Sequence, residues 1–477
     1  MWNINRKSNV PLYQQISYEL ENKITNGELP PGSLLPSERK LAIQLGVNRS
    51  TIVLAYSELR SKGIVESIRG KGTQVNQIRI GQSNLHTPSW GTYVENGNIL
   101  PNLPLLLRSR DAAQSPSIID FASGKLSEDL VPTEEVNQIL KEYSYLPNQG
   151  YDGLQGYLPL REALVSFLKE YKNIHVTAES ILITTGTQQS LFLIAQSLLS
   201  PGDAIAVENP SFILSLPMFR SAGLRIYRVP TDENGICPEE ISYFYRKYKV
   251  KMLFVNPNYQ NPTGTTLSPS RKDVLLEIAR ELGLPIVEED SYSLATFDNQ
   301  QPSSLKASDS TTNILYIGSL SKIAAAGLRI GWVVAPQLVI KKLSDVRRQI
   351  DMGFNIIPQH IASRFIASHY FKPHIKKLTL NLSKKLDLTI NALDKELSGL
   401  VDFRIPSGGL HVWCRVIPEI RDDKTLLEES IKRGVVFVPG SVYGAKQGFM
   451  RLTFARPNEN EIDKGIARLA SAIKASL

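Results

Sequence analysis

Two cysteines stand among 477 residues, Cys237 and Cys414, and neither has histidine or cysteine neighbours at ligand spacing. That excludes a disulfide framework and gives no sign of a zinc site or any other metal, so both read as packed thiols. Long apolar runs are missing as well. Nothing approaches the roughly 18 residues that span a bilayer, and the opening MWNINRKSNV lacks the apolar core of a signal peptide. No membrane partner is expected, and the expected location is the cytoplasm. Negative charge is scarce at the N-terminus: residues 1–80 carry six Glu against eleven Lys and Arg, a net +5 in a chain whose total is +8. Excess charge so concentrated suits a polyanionic partner. What remains is ordinary globular composition, 42% hydrophobic and 21% charged, at a length too great for one core.

From Pro11 the apolar residues Leu12, Ile16, Leu20 and Ile24 recur at helical spacing until Gly27 and Pro30-Pro31-Gly32 stop them. Ser37 offers an N-cap to a short second helix with Leu41, Ala42 and Leu45 inward, ending at Gly46. A third helix, capped by Asn48 or Ser50, turns Ile52, Ala55, Tyr56 and Leu59 inward and leaves Arg49, Ser50 and Thr51 on its exposed first turn. This is the order of a helix-turn-helix whose recognition helix presents its first residues, Asn48 to Thr51, to base edges. Two short strands follow, joined by the basic glycine turn Arg69-Gly70-Lys71-Gly72. Glycine lets that wing approach the backbone of DNA, Arg69 and Lys71 neutralise phosphates, and Arg39 on the second helix reaches a flanking one.

The stretches PSERKLA, VNRSTI and RGKGT resemble the winged helix-turn-helix of the GntR regulators. The resemblance implies DNA contacts from Arg39, Arg49, Ser50, Thr51 and Gly70, and two copies on paired half-sites of a double-stranded operator. Beyond Gln77 periodicity fades into a segment rich in Gly, Asn, Ser and Pro, in which only LPLLLRSR is locally apolar. The expected division is therefore a DNA-binding domain over 1–77, a linker over 78–117 and a large domain over 118–477.

In the large domain, ILIT, AIAVEN, KMLFVNP, LPIVEED, NILYIGSL and IGWVVAP read as strands alternating with helices, which predicts an open, mainly parallel α/β sheet with ligands at the strand carboxyl ends. Chemically pointed residues sit there: Thr187 and Gln188 opening a helix, Phe212, Asn261, Asp290, Tyr292, Ser319, Lys322 and Arg329. A lone Ser-x-Ser-Lys would be an ordinary solvated lysine. Together these groups suit a pyridine aldehyde phosphate. Lys322 provides the amine that condenses with the aldehyde, and Asp290 the carboxylate against the ring nitrogen. Tyr292 and Asn261 reach the ring hydroxyl and Phe212 stacks on the ring face. Thr187, Gln188, Ser319 and Arg329 hold the phosphate at a helix N-terminus.

The order and spacing of these pieces resemble the class I, fold-type I aminotransferases, with a large and a small subdomain and pyridoxal 5'-phosphate as cofactor. In YDGLQGYLPLREAL the resemblance implies that Tyr151 reaches the phosphate of the partner subunit's cofactor; in MRLTFAR it implies that Arg451 grips an effector's carboxylate. The segment Asp290-Ser291-Tyr292-Ser293-Leu294 departs from the pattern common in that family, which bears on the substrate side. The whole arrangement resembles the MocR/GabR subfamily of regulators, and implies a head-to-tail homodimer. Two functions follow. One is a regulator whose cofactor domain senses a small amino compound, or the cofactor itself, and alters operator binding. The other is a working aminotransferase with an accessory DNA-binding module; retention of a complete DNA reader argues for the first.

Overall fold

The apolar stripe read from Leu12 onward folds as helix α1 (Leu12–Thr25), burying Ile16, Leu20 and Ile24. In helix α2 (Glu38–Leu45) the Ser37 hydroxyl accepts from the Lys40 backbone N–H, and Gly46 closes the helix in the left-handed conformation that favours glycine, φ 62°. Helix α3 (Arg49–Ser61) turns Ile52, Ala55, Tyr56 and Leu59 inward, and the Tyr56 hydroxyl donates to the Pro36 carbonyl at 2.7 Å, tying the turn to the third helix. Strands β1 (Val65–Ile68) and β2 (Gly72–Val75) pair antiparallel from Val65–Val75 to Ile68–Gly72. Val65 and Val75 close the same small core, so the wing is fixed to the helices by apolar burial worth about 1.5–3 kcal/mol per large side chain. This is a winged helix-turn-helix.

The computed structural model describes residues 4–6, 8–68, 70–76, 93–94, 96–144, 153–298, 300–309 and 313–477. The chain divides into two units, Met1–Asn98 and Ile99–Leu477. The second unit is built on eight strands: β4 (Ile181–Thr184), β5 (Ala204–Asn209), β6 (Arg225–Asp232), β7 (Gly235–Ile236), β8 (Val250–Val255), β9 (Ile286–Asp290), β10 (Ile314–Ser319) and β11 (Gly331–Val334), after a two-residue β3 (Ile119–Asp120). Their order across the sheet is β4-β11-β10-β9-β8-β5-β6-β7. Strands β10, β9, β8, β5 and β6 run parallel, whereas β11 lies antiparallel between β10 and β4. The near-continuous apolar character of AIAVEN and ILYIGS follows from burial on both faces. Because the parallel strands point the same way, the ends of β5, β8, β9 and β10 meet at one edge, and residues far apart in sequence converge there.

A smaller antiparallel sheet, β12 (Val401–Phe403), β13 (His411–Val416), β16 (Phe449–Thr453) and β15 (Val438–Pro439), shares one apolar core with the helices Phe371–Leu397 and Glu459–Lys474. The parallel pair of β14 (Val435–Val436) with β3 joins it to the start of the unit. Within the segment 78–117, Pro104–Ala112 forms a helix with proline in its first turn. It packs on β15 and on the helix Asp423–Lys432, where Arg108 makes a two-pronged pair with Glu428 at 2.7 and 2.8 Å. Among the described residues no helix is long and apolar enough to cross a membrane.

Candidate functional site

On the first unit, Arg39, Asn48, Arg49, Ser50, Gly70 and Lys71 are exposed and Thr51 is half-buried. Asn48 occupies the cap position of α3 in extended conformation, without a side-chain bond to the helix. The Arg49 guanidinium projects from the first turn of α3, its side chain 71% exposed, and is steadied by Glu38, which accepts from Nη2 at 2.9 Å and Nε at 3.2 Å. The first turn of α3 therefore offers an oriented cation to a groove. Arg69 lies outside the described residues, as does Tyr151 of the second unit.

In the second unit the loop after β10 delivers Lys322 into the interior. Its ammonium donates to the Gly124 carbonyl. Burial, reinforced by the cations of Arg451 and Arg329 and opposed by Glu289, brings its pKa down to about 8. Lys322, His411 and Arg451 converge around Gly124: a Cβ built there would lie 3.5 Å from Lys322 Nζ, 3.7 Å from His411 Cε1 and 3.9 Å from Arg451 Nη2. Arg451, on β16 and 5% exposed, donates through Nη1 to Asn261 Oδ1 at 3.0 Å and through Nη2 to the Ala122 carbonyl at 2.6 Å. The Asn261 amide donates to the Tyr292 hydroxyl at 3.3 Å, so Arg451, Asn261 and Tyr292 form one chain. Phe212 follows the end of β5, its backbone N–H on the Asn261 carbonyl at 3.0 Å.

The residues expected at the phosphate form a turn before a helix. Gly186, at φ 111°, precedes the helix Thr187–Leu198, and Arg329 Nη2 donates to the Thr185 carbonyl at 2.7 Å. A Cβ at Gly186 would lie 2.9 Å from that guanidinium nitrogen, so only glycine lets the arginine close on the turn. Gln188 is exposed beside Thr187. The Ser319 hydroxyl donates to the Ile330 carbonyl and accepts from the Ser321 N–H, both at 3.1 Å, whereas the buried Ser321 hydroxyl has no partner among the described residues.

Asp290 is an expected residue whose carboxyl is taken up by other partners of the chain. Its side chain is 0% exposed and pairs with Lys172 at 3.1 Å. Tyr316 donates to the same oxygen at 3.0 Å, and the Ser293 N–H to the other at 3.3 Å. Burial alone would raise this carboxyl, but Lys172, Ser293 and Tyr316 hold it below the ordinary carboxylate range.

Sequence reading also missed three residues. His411, 2% exposed, engages Thr453 Oγ1 through Nδ1 at 3.1 Å and leaves Nε2 unpartnered among the described residues. Its ring meets Tyr292 edge-on at 5.6 Å, and burial with the neighbouring Arg451 and Lys322 keeps it neutral at physiological pH. A lone histidine in a strand carries no motif. Lys172 ends the helix Leu158–Lys172, and only the fold brings it under β9. Glu289, beside Asp290 in VEED, was passed over for its neighbour.

The donor set fits a phosphorylated pyridine aldehyde. Buried polar atoms of Ser321, His411 and Arg451 have no partner among the described residues, and two cations act on the lysine, Arg329 by a helix N-terminus and Arg451 beside Gly124. Residues 116–469 match the family model of aminotransferase class I and II, and residues 12–75 that of the bacterial regulatory proteins of the gntR family. Over its length the chain resembles the uncharacterized HTH-type transcriptional regulator YdfD of Bacillus subtilis, 35% identical over 98% of this chain and 97% of that one. The HTH-type transcriptional regulator NorG of Staphylococcus aureus is 28% identical over 92% and 99%. Among solved structures, the kynurenine aminotransferase of Pyrococcus horikoshii, solved in complex with PMP, superposes with a TM-score of 0.74 at 30% identity, covering 82% of this chain and 98% of the other. The fold with its lysine and anion sites makes pyridoxal 5'-phosphate the cofactor. The chain thus belongs to the aminotransferase class I and II family and joins that domain to a gntR-type DNA reader, the arrangement of the MocR/GabR transcription regulators.

Proposed function

We propose that the protein is a cytoplasmic transcription regulator in which a small carboxylate-bearing amine, or the supply of pyridoxal phosphate itself, is read by the second unit and alters operator binding by the first. The carrying observation is the coexistence in one chain of an exposed, oriented recognition helix and a buried lysine facing an unsaturated arginine. Neither half alone requires the other. The bound cofactor supplies an aldehyde that captures primary amines and a ring that withdraws electrons from them.

The residues of this chain do the rest. Lys322, with a pKa near 8, is in part a neutral amine at physiological pH and so a ready nucleophile. Arg329 and the N-terminus of the helix Thr187–Leu198 hold the phosphate, Tyr292 and Asn261 orient the ring hydroxyl, and Phe212 covers a ring face. Arg451 is held open by Asn261 and the Ala122 carbonyl; an incoming carboxylate exchanges those bonds for a two-pronged one. Moving Arg451 away from Asn261 and Ala122 transmits occupancy to the segments that carry them.

A head-to-tail homodimer, with Tyr151 completing the partner's phosphate site, places two readers on paired half-sites. Regulation requires the amine to favour one dimer arrangement over the other. Equilibrium titration with amino compounds tests this: the visible cofactor band changes on addition in the wild type, and in Arg451→Ala the amine concentration at half-response, read against that variant's own unliganded band, rises by about tenfold or more. An unchanged response in Arg451→Ala removes carboxylate recognition from the proposal.

A further inference from the structure

Strand β9 ends in three consecutive carboxyl side chains, Glu288, Glu289 and Asp290, and side chains alternate across a strand. Glu288 and Asp290 share one face. Both are fully committed there: Glu288, 0% exposed, accepts from the Leu305 and Lys306 backbone N–H groups at 2.8 Å, and Asp290 is enclosed by Lys172, Tyr316 and Ser293. What separates them from a ligand is that each carboxylate is already satisfied by partners of its own chain.

Glu289 turns to the other face. It lines a small cleft with Glu208, Ser211, Phe212 and Asn256, the same cleft that holds the ring-stacking Phe212. It is incompletely buried. Glu289, and not Asp290, is the carboxyl whose charge acts on Lys322. Its Oε1 accepts from the Ser291 hydroxyl, which points the carboxyl along the strand end.

We infer that Glu289 is the carboxyl that meets the cofactor's ring nitrogen, and that Asp290 is instead the buried anion of an ion pair with Lys172 that braces the end of β9. This inference rests on the cofactor reading above and deepens it. Lys172 is thereby spent on Asp290, while Glu289 lies beside a second carboxyl, Glu208. Burial, opposed by the Ser291 hydroxyl, pushes Glu289 up to about 7. A ring nitrogen facing such a group shares a proton with it, where a cation-braced aspartate would present a fixed charge.

Three proteins loaded with cofactor labelled with nitrogen-15 in the ring decide the assignment: wild type, Glu289→Gln, and the double variant Lys172→Met with Asp290→Leu, which removes the brace without stranding a charge. The readouts are the ring-nitrogen resonance and cofactor retention on dialysis. Glu289→Gln is expected to shift the resonance and weaken retention by about tenfold, while the double variant keeps the wild-type resonance. A shift in the double variant, or none in Glu289→Gln, overturns the assignment. Wild-type protein that takes up no cofactor overturns the underlying reading, and this inference with it.

Discussion

Lys172→Met leaves the Asp290 carboxylate in a place where water cannot follow. The two side chains are 5% and 0% exposed and 3.1 Å apart, so at an effective dielectric of about 20 their attraction is about 5 kcal/mol. Removing one partner of a buried pair costs about 3–5 kcal/mol, because the survivor keeps its desolvation penalty. The Tyr316 and Ser293 bonds remain and place the expected loss at the lower end, about 3 kcal/mol. Urea unfolding followed by tryptophan fluorescence measures it, with Trp332 buried in the same unit. The Asp290 carboxyl is depressed when folded, so its contribution is present at pH 6–8 and is lost as pH falls below about 4. Adding Asp290→Leu to Lys172→Met should restore most of the loss. A single-variant cost under about 1 kcal/mol at pH 7, or a double variant as unstable as the single, refutes the buried-pair reasoning.

Three further outcomes follow from the geometry. Arg49→Ala removes the exposed cation of the recognition helix and should cost about 1–3 kcal/mol of specific DNA binding in a mobility-shift titration, with the visible cofactor band unchanged; loss of both would couple the units in a way the helix's own core does not. Lys322 has its folded pKa lowered to about 8, so in cofactor-free protein its condensation with pyridoxal phosphate should accelerate as pH rises through about 8, against a midpoint near 10.4 for an ordinary lysine. Gly331→Ala sets a Cβ 2.7 Å from the Gly186 Cα, so the phosphate turn must move. Cofactor retention should fall with DNA binding intact, and unchanged retention would place the phosphate elsewhere.

Much of this was legible from residue order because the signals were local. The helices of the first unit followed from apolar spacing, with Ser37 and Gly46 marking the ends of α2, and strands β4, β5, β8, β9 and β10 followed from short apolar runs between helices. The antiparallel placement of β11 did not, since IGWVVAP reads alike in either direction. The helix Pro104–Ala112 was seen only as an apolar patch: its pattern is completed by packing on the small sheet and by Arg108 with Glu428. At the site, a motif supplies residue types at a spacing but not the face each one takes. Adjacent acids in VEED look equivalent along the chain, and the alternation of β9 separates them. Lys172 and His411 had no local signal, because each acquires its chemistry from residues distant in sequence.

Coupling between the two sites is measured most directly by the affinity of the full chain for a DNA duplex selected by the protein from a random pool, titrated without cofactor, with pyridoxal phosphate, and with pyridoxal phosphate plus an amino acid that changes the visible band. Sensing by the second unit predicts an affinity change of at least about fivefold between two of these states, the lower end of ordinary allosteric coupling, and no such change in Lys322→Ala. Equal affinity in all three states, with the band responding normally to the amine, contradicts regulation through this site.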